Sequence, residues 1–104
     1  MSADLDGLPG ADLVVAGMAD LQAGRDTPDA ALVRMAAPRL REIGIAVPQS
    51  VSDQPGSHRL YELLSDSDPA GAYSRYNALL GRMASFASAA EQRVRLAGPF
   101  KDLA

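Results

Sequence analysis

The residue types with chemical capacity gather between positions 58 and 82. His58, Arg59, Tyr61 and Glu62 come first, followed by Tyr73, Arg75, Tyr76, Asn77 and Arg82. On a helix His58 and Glu62 lie four apart, so the imidazole can rest against the carboxylate. That is the pairing of a general base with its orienting acid. No nucleophile, metal set or oxyanion motif accompanies it, so the pair reads as a surface pair and no enzymatic activity is expected.

Arg75 and Arg82 are seven apart on one helical face, with Arg59 nearby in sequence. Such guanidinium groups can hold a phosphate or carboxylate, although a solvated face is the plainer reading. Tyr73 and Tyr76 fall on an apolar stripe and are expected in the core, their hydroxyls reaching Arg59, Arg75 or Asp66 at the rim. Tyrosine and arginine are also the residues that anchor interfaces. His58, Arg59, Tyr61, Glu62, Arg75, Tyr76 and Arg82 are therefore the candidate contacts for a ligand or partner.

Several chemistries are closed to this sequence. It contains no cysteine, which removes disulfides, thiolate metal sites and cysteine nucleophiles. One histidine cannot supply a multi-histidine site, and no loop carries the carboxylate spacing of a calcium site. No cofactor or metal is expected. No run of 18 apolar residues occurs, so no membrane span is expected. The first ten residues carry Asp4 and Asp6 and no basic residue, the wrong sign for a targeting peptide, so a cytoplasmic protein is expected.

The net charge is −3. It is unevenly spread, with six aspartates and only Arg25 in the first 30 residues. The plain reading is a set of solvated helix faces. The sharper one is an acidic N-terminal segment that pairs with a basic face elsewhere. A strongly basic nucleic-acid footprint is absent.

The elements that must position these residues read as helices throughout. Alternating β-branched runs are missing and alanine is frequent. The first helix is expected from Pro9 to Ala23, with Leu13, Val14, Met18 and Leu21 as its stripe and Gly24 as its stop. The second opens on Thr27 and Pro28, and Ala31, Leu32, Met35, Ala36, Leu40 and Ile43 make its face. Pro38 interrupts it at about 3 kcal/mol, and a kinked continuous helix is preferred over two short ones. Residues 45–56 read as a loop, with Ile45 and Val47 anchoring it to the core. A short third helix runs from Ser57 to Ser65 and is broken by Asp66-Ser67-Asp68.

The fourth helix is the longest, capped by Asp68, started by Pro69 and closed by Gly98, about 42 Å in length. Tyr73, Tyr76, Leu80, Met83, Ala87, Ala90 and Val94 form a heptad seam, widened by Ala72, Leu79 and Phe86. Leu80 stands at the seam's centre, where truncation to alanine is expected to cost about 2–5 kcal/mol. The helices before it are short. Either they cover it end to end, or its far end, lined by Ala84, Ala87 and Ala90, is covered by a second copy.

A chain of 104 residues buries about 65% of its surface, enough for one core. The expected fold is all-α, a small antiparallel bundle of about four helices with one long C-terminal helix. Residues 1–104 are read as one domain, with 1–8 and 99–104 loosely ordered. The expected function is a non-enzymatic helical protein-interaction module, homodimeric or bound to another protein. One alternative is a small DNA-binding regulator, antitoxin-like, using Arg34, Arg39 and Arg41 or the Arg75/Arg82 face; the acidic balance makes nucleic acid the weaker partner. A second alternative is a small-molecule-binding protein with a site around His58 and Arg75.

Overall fold

Thr27 shows how the punctuation becomes structure. Its Oγ1 accepts the Ala30 N–H at 3.1 Å and caps a helix whose first residue is Pro28. The same hydroxyl donates to Asp20 Oδ2, and Arg25 Nε donates to Asp20 Oδ1 at 2.8 Å. Gly24 ends the preceding helix at φ 76°. Cap, stop and bridge together fix the turn between the first two helices.

The structure, a computed structural model, describes residues 7–48 and 55–98. Among these residues it is all-helical. The four helices are α1 (Ala11–Ala23), α2 (Pro28–Glu42), α3 (Gly56–Ser67) and α4 (Ala72–Ala97). None of them is long and apolar enough to cross a membrane. Loop residues 49–54, and both terminal stretches expected to be loose apart from 7–8, lie outside the described residues. Leu8 itself packs against the core.

The helix α2 packs against all three others. Ala30, Ala31, Leu32 and Val33 are consecutive and buried, so its first turns are covered on every side. Ala30 and Val33 lie outside the stripe read from the sequence. The helix also runs through Pro38 unbroken. The proline ring is exposed, so the missing N–H lies on the side of the helix that water can reach. Past the helix end, Ile45 and Val47 are buried as expected, and Arg41 Nη2 donates to the Val47 carbonyl at 3.1 Å.

Three helix boundaries differ from expectation for local reasons. Gly10, at φ 77°, takes the N-cap of α1, delaying that helix from Pro9 to Ala11. An added Cβ there would lie 2.9 Å from the Arg82 carbonyl of α4, so both the backbone conformation and the close approach require glycine. Asp68 Oδ1 accepts the Gly71 N–H at 3.2 Å and closes a turn over Pro69 and Ala70, so α4 starts at Ala72. Asp66 and Ser67 do not break α3, which extends from Gly56 to Ser67; Ser67 Oγ bonds back to the Leu64 carbonyl at 3.2 Å.

The short helices cover successive stretches of α4. Tyr61 of α3 meets Tyr76, the α1 start meets Arg82 and Phe86, and Arg39 of α2 binds Glu91. Ala87 and Ala90 are buried inside this chain. Ala84 and, further along, Leu96 are exposed. The buried residues of α4 all belong to the expected stripe, but burial within it is deepest around Phe86 and shallower at Leu80. Ala72, Met83, Phe86, Ala87 and Ala90 are buried, while Leu80 is half-buried and Tyr73 is exposed. Tyr73 is thus a surface residue and not part of the core. The centre of the face lies at Phe86, which the expected seam treated as a flank.

Two contrasts test this packing. Phe86→Ala should cost about 3–5 kcal/mol in a denaturant melt, and Leu80→Ala only about 1–2, because Leu80 is half out of the core. Equal costs would put Leu80 as deep in the core as Phe86. Gly17 lies where α1 crosses α2, and a Cβ there would overlap the Asp29 carbonyl and Val33 Cγ2, so Gly17→Ala should cost about 1–3 kcal/mol. Gly81 has open space around it inside α4, so Gly81→Ala should stabilise by up to about 1 kcal/mol. Opposite signs in the two melts are the expected result.

Candidate functional site

Where α3 and α4 lie side by side, Ser57, His58 and Tyr61 face Tyr73 and Tyr76 across an open groove of about 450 Å³. Helix spacing puts His58 and Tyr61 on one face of α3, three positions apart, and Tyr73 and Tyr76 likewise on α4. The Asp68–Gly71 turn sets where α4 begins and so which of its residues oppose α3. Tyr76 rests partly on the core. Tyr61 meets it edge to face, with ring centres 5.6 Å apart and planes at 80°. Tyr73 is 69% exposed and Tyr61 41%. These are the only tyrosines in the chain, and all three line this one groove.

The charges beside the groove are largely spoken for. Arg59 donates from Nη1 to Glu62 Oε1 and from Nε to Asp26 Oδ2, the latter at 2.8 Å. The bonds to Asp26 and then Glu62 push its pKa further up, so it stays protonated at any accessible pH. His58 Nε2 lies 3.9 Å from Glu62 Oε2, a contact too long for a hydrogen bond. With one Glu62 oxygen held by Arg59 and the other this far from the imidazole, the pair is not set as a base with its orienting acid. Among the described residues no side chain hydrogen-bonds the hydroxyls of Tyr73 or Tyr76 as expected of Arg59, Arg75 or Asp66.

The seven expected contact residues do not form one cluster. His58, Tyr61 and Tyr76 line the groove, and Arg59 and Glu62 adjoin it. Arg82 is directed to α1, where its Nη2 donates to both Asp12 oxygens at 2.8 and 3.1 Å. It lines a separate hollow of about 430 Å³ with Pro9, Gly10, Ala78, Gly81 and Ser85. Arg75 is exposed and is not a wall of either cavity. Sequence reasoning missed Ser57 and Tyr73 as groove walls. The available signal was the position of Tyr73 in the first turn of α4, ahead of the stretch that the shorter helices cover.

The acidic N-terminal third does pair with basic residues elsewhere, as in Asp12–Arg82 and Asp26–Arg59. The Thr27 hydroxyl, then Arg25, hold the Asp20 carboxyl below its ordinary range. Burial, then repulsion from Asp20 and Asp12, pushes Asp29 up, with Arg82 opposing. Arg39 binds Glu91 through two hydrogen bonds of 2.6 and 2.9 Å, which lowers the Glu91 pKa. Arg39, Arg41 and Arg82, named for the DNA-binding alternative, are thus engaged within the chain. Among the described residues no three histidine, aspartate or glutamate side chains converge as metal ligands.

No protein-family model, curated protein or solved structure matches this chain.

Proposed function

We propose that this chain is a non-enzymatic protein-interaction module that engages another protein through the tyrosine groove between α3 and α4. The observation that supports it is the gathering of all three tyrosines on one surface, two of them substantially exposed. Tyrosine offers a large, rigid contact area at low entropic cost and is enriched where proteins meet. The described core, filled by aliphatic residues and Phe86, makes no use of Tyr73 or Tyr61. Another protein is taken as the occupant, and a second copy is the competing outcome of the test.

The test compares wild type with the Tyr61→Ser/Tyr73→Ser double variant. Both sites are exposed, so the melting midpoint should stay close to wild type. Wild-type protein should retain a binding partner from the source cell that the variant releases, with light scattering giving a monomer mass for both. If the variant holds the same partners as wild type, the groove is not the interaction surface. A doubled wild-type mass that falls to a monomer in the variant would assign the groove to a second copy and overturn the choice of another protein.

A further inference from the structure

We infer that the tyrosine groove is a cation-binding cage, built to take the alkylammonium or guanidinium head of a basic side chain presented by the partner. This rests on the groove being the interaction surface. Three tyrosines line one space of about 450 Å³, and the rings of Tyr61 and Tyr76 stand nearly perpendicular at 80°. In an edge-to-face pair the ring that presents its edge keeps its own faces open, and a cation over an open aromatic face is attracted by the ring quadrupole. The walls contain no lysine or arginine to repel it.

The local charge favours the same guest. Asp26 and Glu62 share the single guanidinium of Arg59, so neither carboxylate has a cation of its own. Glu62 Oε2 is left over from that pairing and lies 3.9 Å from the groove wall at His58. The whole chain carries −3, so a basic segment is attracted at longer range as well. An acidic or purely apolar segment would gain neither the π-face nor the carboxylate contribution.

Intrinsic fluorescence reads this site directly. The chain has no tryptophan, and all three tyrosines belong to the groove. The full chain is titrated with tetramethylammonium, with N-acetyl-arginine methylamide, with N-acetyl-trimethyllysine methylamide, and with neopentyl alcohol as the neutral isostere. The side-chain probes should change the tyrosine emission saturably, with dissociation constants of roughly 1–30 mM as expected for one partly exposed cage. Neopentyl alcohol should bind at least tenfold more weakly. Tyr73→Leu should abolish the response, and Glu62→Gln should weaken it a few-fold.

Equal binding of the neutral isostere would overturn the inference, and so would no saturable response to any cation. A response to tetramethylammonium without one to the side-chain probes would overturn the choice of a protein side chain as guest. If the cations fail while the double serine variant still loses its protein partner, the interaction surface stands and only the cage is lost.

Discussion

Everything in this fold is arranged to cover α2. A helix with Ala30 to Val33 consecutive and buried presents apolar side chains in several directions at once, so one neighbour cannot satisfy it. Helices α1, α3 and α4 each take a side. Gly17 is the condition for the α1 side, because any side chain there would collide with the α2 backbone at Asp29. The same demand decides the fate of Pro38. An interior proline costs about 3 kcal/mol. Fully burying Leu40 stabilises by about 1.5–3 kcal/mol, and Ile43, Ile45 and Val47 beyond it are buried too. Continuing the helix past the proline delivers all four to the core, so burial wins.

The arrangement explains why the aromatic surface lies where it does. Covering α2 draws Met83, Phe86, Ala87 and Ala90 of α4 inward and leaves the N-terminal turn of that helix at the edge of the core. Tyr76 is held between core and surface, and Tyr73 points away. Helix α3 brings Tyr61 beside them while its own Leu60 and Leu64 enter the core. The groove is thus a by-product of packing in its position but not in its composition. Leucine or alanine at 61 and 73 would leave α2 as well covered. The ion pairs support the same geometry from outside: Arg39–Glu91, Arg82–Asp12 and Arg59–Asp26 each tie two segments distant in sequence. All three lie at the surface, where water screens them, so they serve mainly to choose among packings.

The helices were legible because their ends carry their own chemistry. Thr27-Pro28 and Gly24 announce a start and a stop by side chain and φ alone. Ile45 and Val47 were legible as anchors because two spaced aliphatics in a proline-rich loop have few other uses. The errors arose where a distant segment decides. Gly10 becomes a cap because the Arg82 carbonyl lies beneath it, which no local pattern reveals. Burial along the α4 stripe is uneven, deepest at Phe86 and lost at Tyr73, because three helices of different lengths meet it at different points, whereas a heptad reading assumes one partner along the whole length. The site was half legible for the same reason. His58, Tyr61 and Tyr76 come together, but the partners of Arg59 and Arg82 lie 33 and 70 positions away in sequence.

The central claim is that α2 is the covered hub of this fold, and native-state amide hydrogen exchange tests it most directly. Amides from Leu32 to Ala37 should exchange only through global unfolding, with protection equal to the full stability measured by denaturant. Amides in the first exposed turns of α4, around Tyr73 and Ser74, should exchange through smaller local openings. Slower exchange in α4 than in α2, or local exchange at Leu32 and Val33, would contradict the account.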